Sequence, residues 1–282
     1  MRVKGGLVAR LLHIGEQPVV VAAWQRRSGE VAFRAGGRVD GAGLAAAIER
    51  MRFALGIDDD LSEFHARFRR DPVIGPALRR RPWLRPRRRP FAWEALAWAI
   101  TAQLIESSRA AEIQRRIVRR FGPSLDPASL ESPGYASLPG PLRDVPPAGV
   151  IAACSPAELA ARDLAAGRSL AMIRVAKEIA AGRVDPADPA GDARLLAIRE
   201  IGPWTIQCLG LNGRGEADSL PAGDLGYIKL VGRLAGLGRR ATIPEVEEYF
   251  APYEPYRGLA GEFALMHYHP AVQAGPPLRL AA

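Results

Sequence analysis

The segment LLAIREIGPWTIQCLGL, residues 195–211, is the most informative part of the sequence. It joins two helical patterns through REIGP, residues 199–203, a connection short enough to require a tight hairpin. Gly202 is expected to supply a permissive backbone, and Pro203 suits the first position of the second helix, where its missing N–H costs nothing. That helix then presents backbone N–H groups at its N-terminus, an arrangement that binds phosphate. The segment predicts either a phosphate-binding hairpin or an ordinary turn in a helical bundle.

A second informative segment, SLPAGDLGYIKLVGRL, covers residues 219–234. Asp224 follows a Pro/Gly loop and precedes an apolar helical pattern, so its simplest role is that of a helix N-cap. An Asp at a helix start has a fixed direction and can also point into a cleft. Both roles are compatible with the sequence.

The net charge favours a polyanionic partner. The 282 residues include 39 Lys and Arg against 30 Asp and Glu, a formal charge of +9. Neutralising phosphates with such cations releases counterions and drives binding. Only three of the 39 cations are lysines, a bias that a GC-rich genome also produces. The total charge therefore supports nucleic-acid binding only together with its placement.

Composition excludes several classes of protein. No stretch reaches the ~18 uncharged apolar residues of a membrane span, and no small-residue cleavage site follows the basic N-terminus. Cys154 and Cys208 stand too far apart for a Cys-x-x-Cys pair, which argues against a zinc ribbon or an iron–sulfur cluster. We expect a protein of the bacterial cytosol with no membrane contact, associated with the nucleoid when it acts.

The chain is expected to be an α+β protein, mainly α. Residues 1–86 are predicted to form a small β-containing N-terminal domain, with strands at 19–25 and 30–35, and residues 87–282 an all-helical domain with the hairpin at about 192–211. The proline- and arginine-rich segment 71–90 is expected to hold no helix and to mark the boundary. Helices are predicted at 44–55, 61–68, 91–106, 107–120, 156–165, 169–182, 192–199, 203–211, 225–234, 243–250 and 255–267.

Taken together, these segments resemble the helix-hairpin-helix DNA glycosylases, in particular the bacterial 3-methyladenine DNA glycosylase II family. Five motifs occur in the family's order between about residues 55 and 270. They are DDDLSEFHARFRRDPVIGPAL, PFAWEALAWAITAQLIESSRAA, IREIGPWTIQ, LPAGDLGYIK and ALMHYH. The resemblance implies a small β-containing N-terminal domain and a helical glycosylase domain, in agreement with the pattern of elements above.

The resemblance also implies roles for individual residues. Asp224 corresponds to the family's catalytic aspartate, and Gln103 and Leu104 to the pair whose second residue wedges into the duplex. From the sequence alone, Leu104 is equally compatible with a core position. The resemblance implies that the hairpin binds DNA through Gly202, Trp204 and Thr205. It implies a base pocket lined by Trp204, Cys208, Tyr268 and His269. It also implies a monovalent cation held by the backbone carbonyls of Leu196, Ile198 and Ile201.

Trp204 indicates a reaction without strand cleavage. Bifunctional relatives carry a lysine at the matching position, and an indole cannot form the lysine's Schiff base. The resemblance thus implies a monofunctional enzyme that flips alkylated purines of the 3-methyladenine and 7-methylguanine type out of damaged double-stranded DNA. Two alternatives stay open: a deaminated or oxidised base as the lesion, or a non-catalytic protein that binds damaged DNA.

Several residues depart from the family pattern. Glu200 replaces the first hairpin glycine, and Cys208 and His269 stand where the family has aromatic pocket residues. His267 and His269 are too few for a metal site and are interpreted as surface or packing residues. We expect a monomer that needs no cofactor apart from a structural cation at the hairpin, and DNA contact from the seven arginines between Arg79 and Arg89.

Overall fold

The computed structural model describes residues 2–4, 6–130 and 140–268. Its strands are β1 (Arg2–Lys4), β2 (Leu7–Ile14), β3 (Gln17–Gln25), β4 (Val31–Gly37), β5 (Ser124–Leu125) and β6 (Leu142–Arg143). Its helices are α1 (Gly41–Leu55), α2 (Ser62–Phe68), α3 (Gly75–Arg80), α4 (Ala92–Ala102), α5 (Ser107–Phe121), α6 (Ala148–Ala152), α7 (Pro156–Ala160), α8 (Ala166–Ala180), α9 (Asp192–Leu196), α10 (Pro203–Leu209), α11 (Leu225–Leu234), α12 (Ile243–Phe250) and α13 (Arg257–Tyr268). The fold is α+β and mainly α, as predicted.

The described residues divide into two compact units. The first contains residues up to 57 and 100–185, and the second contains 58–99 and 186–268. Each unit is therefore built from two separate stretches of chain. The boundary predicted between residues 86 and 87 lies inside the second unit, and the division into domains at this point stays a prediction. No helix in the described residues is long and apolar enough to cross a membrane.

An antiparallel sheet with strand order β1-β2-β3-β4 begins the first unit. Leu11 pairs with Val20 across its two central strands, and both side chains are fully buried. Strands β3 and β4 match the prediction, whereas the sequence reading missed β1 and β2. Arg10 and His13 interrupt the apolar run of β2, yet Arg10 is buried and His13 Nδ1 lies 2.8 Å from Asp144 Oδ2. Partnered polar groups can therefore occupy a strand that reads as broken in the sequence.

The part of the chain that was predicted to be all-helical, residues 87–282, also contains two short strands. Strands β5 and β6 form a two-stranded ladder within the Pro/Gly-rich stretch predicted as loop. A Cβ on Gly122 would stand 2.2 Å from the carbonyl oxygen of Asp144, so the two stretches approach too closely for a side chain at this position. The expectation of an all-helical domain is wrong by this short ladder, because two-residue strands leave no periodic signal in a sequence.

The second unit is organised around an aromatic core. Phe64 from α2, Tyr227 from α11, Phe250 from α12 and Phe263 from α13 are all buried within it. Helix α3 packs in the same core, although the sequence reading expected no helix between residues 71 and 90. That expectation is wrong for Gly75–Arg80 because Pro76 occupies the first turn of α3, where a proline removes no intrahelical hydrogen bond. Helices α11 and α12 have the predicted bounds.

Candidate active site

The predicted hairpin is present in the second unit, but the residue that makes its turn differs from expectation. Glu200 has a φ of 74°, in the left-handed region that favours glycine. Gly202 has a φ of −116° and a ψ of 179°, an extended conformation open to any residue. The expectation that Gly202 supplies backbone freedom is therefore wrong, since Glu200 makes the left-handed turn. A Cβ on Gly202 would meet no protein atom within 4 Å, so the glycine leaves open space beside the hairpin.

The N-terminus of α10 offers fewer free amides than expected. Pro203 has no N–H, and the N–H of Thr205 donates to the Gly202 carbonyl at 3.0 Å. The Thr205 side chain is also buried, with 1% of its surface exposed. The first-turn amides that remain for an outside acceptor are those of Gly202 and Trp204. Phosphate binding at the hairpin would therefore depend on these two groups.

A buried arginine holds the hairpin from behind. The Arg214 guanidinium donates from Nη1 and Nη2 to the two carboxylate oxygens of Asp192, at 2.9 and 2.5 Å. Its Nε donates to the carbonyl of Pro186 at 2.9 Å. Because the Arg214 side chain is only 5% exposed, this bidentate pair fixes the first residue of α9 and with it the start of the hairpin.

The structure brings Asp224 and Trp204 together. Asp224 is the N-cap of α11, and its Oδ1 accepts from the Gly226 N–H at 2.7 Å. Its Oδ2 accepts from the indole Nε1 of Trp204 at 3.3 Å. The cap and the directed carboxylate therefore occur in the same residue, with both oxygens oriented. Each oxygen keeps a further lone pair for an incoming group.

The loop that carries Asp224 is fixed to α13. Asp218 Oδ1 accepts from the backbone N–H and the Nε of Arg257, at 3.0 and 2.9 Å, and Asp218 Oδ2 accepts from its Nη2. The N–H of Leu259 donates to the carbonyl of Ala217 at 2.8 Å. A Cβ on Gly258 would stand 2.2 Å from the carbonyl oxygen of Ser219, so the backbones meet directly. Helix α13 thus determines where Asp224 is presented.

Three ionisable side chains surround the Asp224 carboxylate. Burial raises the pKa of the Cys208 thiol well above its usual range, and the Asp224 and Glu262 carboxylates raise it further. Burial also raises the pKa of the Tyr227 phenol, again with the help of Glu262, Asp224 and Cys208. Burial raises the pKa of Glu262, with the Arg87 guanidinium opposing and the Asp224 carboxylate adding to the shift. The thiol and the phenol are consequently neutral near pH 7.

Leu104 lies in the first unit, at the end of α4, and is not a core residue. It is completely exposed and has a φ of 56°, both unusual for a leucine. The Arg168 Nη1 donates to the carbonyls of Thr101 and Gln103, at 3.0 and 3.1 Å, and so holds the turn that presents it. An exposed leucine on a pinned turn has the properties of a wedge that enters a base stack.

Two of the predicted pocket residues, Tyr268 and His269, are not part of the site as the structure describes it. The Tyr268 hydroxyl donates to the carbonyl of Val73 at 3.3 Å, and its ring lies beside the guanidinium of Arg233. The structure therefore does not place Tyr268 with Trp204 and Asp224. His269 lies outside the described residues. Leu265 comes closest to the Asp224 cap from α13, because its Cδ2 lies 3.2 Å from where a Cβ on Gly226 would stand.

The predicted cation ligands are carbonyls of the hairpin turn. The Ile198 carbonyl accepts from the Ile201 N–H at 3.0 Å, which leaves it one lone pair. Carbonyl ligands suit a hard cation rather than a transition metal. The turn at Leu196, Ile198 and Ile201 thus fits a weakly held monovalent ion, which stays a prediction.

Several arginines of the cluster between Arg79 and Arg89 bind partners within the protein. Arg79 donates to the carbonyl of Arg69 at 2.6 Å, Arg85 donates to that of Leu84 at 3.0 Å, and Arg88 pairs with Asp59. Arg89 Nη1 lies 3.6 Å from the buried carboxylate of Glu94. DNA contact by the cluster stays a prediction. At these four positions the guanidinium would have to bind a DNA phosphate in addition to its partner within the protein.

Sequence reasoning missed the neighbours that complete the site, namely Tyr227, Glu262 and Leu265, and the anchors Arg214 and Arg257. Tyr227 follows Asp224 by three positions, so helical spacing alone places it on the same face. Glu262 and Leu265 have the same spacing within α13. The spacing places Glu262 and Leu265 at the site only because α13 packs on the loop before α11.

Comparisons with known proteins find similarity to DNA glycosylases. No family model matches the chain. A DNA-3-methyladenine glycosylase of Bacillus subtilis is 25% identical over 210 residues, covering 72% of this chain and 66% of that protein. The chain thus spans just under two thirds of this relative's length. The 3-methyladenine DNA glycosylase of Archaeoglobus fulgidus shares the fold with a TM-score of 0.78 at 20% identity, over 94% of this chain and 88% of that one. An 8-oxoguanine glycosylase/lyase of Clostridium acetobutylicum in complex with double-stranded DNA gives 0.69 at 12% identity, over 92% and 87%.

Proposed function

We propose that this chain is a helix-hairpin-helix DNA glycosylase, like the relatives it resembles, and that it is a DNA repair enzyme that hydrolyses the N-glycosidic bond of alkylated purines. The observation that carries the proposal is the Asp224 carboxylate, whose two oxygens are oriented by the Gly226 N–H and the Trp204 indole. A helix cap needs only the first of these bonds. The second joins the carboxylate to the hairpin that would hold the DNA.

Each step of the proposed reaction has a residue to perform it. Leu104 enters the gap that a flipped nucleotide leaves, and the hairpin amides of Gly202 and Trp204 hold the phosphate backbone. As the base departs, positive charge develops on the sugar, and the Asp224 carboxylate stabilises it and steers the attacking water. Trp204 has no amine to form a Schiff base, so the product is an abasic site in an uncut strand.

The preference for alkylated purines follows from charge. An alkylated purine that carries a positive charge is already a good leaving group, and it gains cation–π attraction from an indole such as Trp204. The Bacillus relative named as a 3-methyladenine glycosylase supports this lesion class. Cys208, a buried thiol where the family has an aromatic ring, makes the pocket less aromatic and favours an oxidised purine as the second candidate. The Clostridium neighbour, which acts on 8-oxoguanine, has the same fold.

The proposal includes further expectations. The substrate is damaged double-stranded DNA, the enzyme acts as a monomer in the bacterial cytosol, and no cofactor takes part in the reaction. A monovalent cation at the carbonyls of Leu196, Ile198 and Ile201 would stabilise the hairpin turn and supply no chemistry.

The proposed function is tested by product analysis. Duplex DNA treated with dimethyl sulfate is incubated with the protein, released bases are separated by chromatography, and strand breaks are measured before and after alkali. We expect free methylated purines, strand breaks only after alkali, and no DNA adduct trapped by borohydride. Breaks before alkali, or a trapped adduct, would contradict the monofunctional mechanism. DNA binding without any base release would leave the non-catalytic alternative.

A further inference from the structure

Helix α13 turns one face toward the Asp224 loop. A Cβ on Gly226 would stand 3.0 Å from Asp224 Oδ1 and 3.2 Å from Leu265 Cδ2, so this leucine lies directly beside the Asp224 cap. Glu262 precedes Leu265 by three residues, and residues with this spacing share a helix face. Gly261 abuts the Tyr227 phenol, because a Cβ there would lie 2.9 Å from the phenol oxygen. Glu262 therefore faces the same space as Asp224.

The groups around Glu262 have hydrogen-bonding capacity left over. Glu262 is surrounded by protein atoms, yet part of the residue's surface stays accessible. The Tyr227 hydroxyl is fully buried and has no hydrogen-bond partner among the described residues. Buried polar groups in folded proteins are nearly always paired, and exceptions occur where a ligand supplies the partner. Tyr227 thus holds an unpaired donor against α13, and the Glu262 carboxylate adds two acceptor oxygens close enough to Asp224 to feel its charge.

We propose that Glu262 reads the extruded base, its carboxylate accepting hydrogen bonds from the N1–H and 2-amino groups of a guanine-derived lesion. The inference rests on the proposed function and specifies its substrate. A guanine edge presents two adjacent donors that match the two oxygens of a carboxylate. An adenine-derived lesion presents one amino donor beside a ring nitrogen acceptor, which repels a carboxylate oxygen. Glu262 is therefore the specificity-determining residue of the pocket and favours 7-methylguanine over 3-methyladenine.

The electrostatic surroundings give this role a pH signature. Glu262 is faced by Cys208 of α10, by Asp224 and Tyr227 of α11 and by Arg87 of the segment before α4. Burial raises the pKa of Glu262, Arg87 opposes the shift and Asp224 adds to it. The carboxylate form exists above this raised pKa. The preference for guanine lesions therefore requires the ionised form of Glu262 and is lost as the pH falls through a value above 4.5.

A competition assay tests the proposal directly. Duplex DNA carrying both methylated purines is incubated with wild-type protein, with Glu262→Gln, and with Glu248→Gln, a matched change at an exposed glutamate of α12. We expect Glu262→Gln to lower the ratio of released 7-methylguanine to 3-methyladenine about tenfold, the effect of one charge-assisted hydrogen bond. Glu248→Gln should leave this ratio unchanged. A wild-type ratio in Glu262→Gln would overturn the role of Glu262.

Two further readouts separate the possible failures. If Glu262→Gln does not fold, as judged by circular dichroism, the pH dependence of the wild-type release ratio tests the proposal instead. Because the pKa of Glu262 lies above 4.5, the wild-type ratio must then be lower at pH 4.5 than at pH 7, and a constant ratio refutes the proposal. If the wild-type protein releases neither base at any pH, the proposed function itself fails. Release of both bases with an unchanged ratio contradicts Glu262 alone.

Discussion

Glu200 holds the hairpin turn in a conformation that costs a side chain free energy. Its φ of 74° lies in the left-handed region, where an L-residue other than Gly, Asn or Asp loses roughly 1–2 kcal/mol. The sequence showed that Glu200 replaces a glycine of the family pattern, but it did not show whether the turn would change shape. The turn keeps a left-handed residue at this position although the glycine is gone.

Replacing Glu200 with glycine should therefore stabilise the protein. Removing the Cβ relieves the strain, and the gain is reduced by the larger unfolded-state entropy of glycine, which leaves about 0.5–1 kcal/mol. The midpoint of urea unfolding should rise accordingly. Arg199→Gly is the matched control, since Arg199 does not have a positive φ, and it should lower the midpoint. A lower midpoint for Glu200→Gly would contradict the strain.

Trp204 acts through its indole N–H as well as through its ring. The bond to Asp224 Oδ2 is absent in Trp204→Phe, while much of the aromatic surface remains. We expect the single-turnover rate of base release to fall about tenfold, because the carboxylate loses one of the two bonds that direct it. DNA affinity should change much less than this rate. An unchanged rate would show that the Gly226 cap alone orients Asp224.

At the scale of the element, helices could be predicted from the sequence and short irregular pieces could not. Helices α11 and α12 follow from apolar periodicity bounded by caps, at Asp224 and Thr242. Helix α3 was missed because of the prolines in its segment, the β5–β6 ladder because its strands have two residues each, and β2 because Arg10 and His13 interrupt its apolar run. The candidate site follows the same division. Asp224 and Trp204 were predicted, but Glu262 depends on how α13 packs.

The turn after α4 gives a prediction of its own. Leu104 is completely exposed, so Leu104→Ala should leave the melting temperature unchanged. Base release should nevertheless fall about tenfold or more, since an alanine cannot replace the lost stacking of the flipped base. Leu170→Ala, at another exposed leucine of the first unit, is the control and should change neither quantity. Wild-type excision by Leu104→Ala would contradict the wedge.

At the scale of the whole molecule, the sequence predicted the fold class and the order of the motifs but not the grouping of the chain. Each unit combines two separate stretches, and such long-range pairing leaves no mark in local composition. The amino-acid sequence likewise does not show which arginines bind partners within the protein. The seven arginines between Arg79 and Arg89 suggested DNA contact, yet four of them already hold internal partners.

The most direct test of the central claim is the single-turnover rate of base release by Asp224→Asn. Asparagine keeps the cap at Gly226 but removes the negative charge that would stabilise the sugar cation. We predict a fall of about a hundredfold or more with unchanged DNA affinity and melting temperature. Asp60→Asn is the matched control, because Asp60 Oδ1 accepts from the Ser62 N–H at 2.9 Å in the same i to i+2 arrangement, and it should release bases at the wild-type rate. Full activity in Asp224→Asn would mean that Asp224 is only a helix cap.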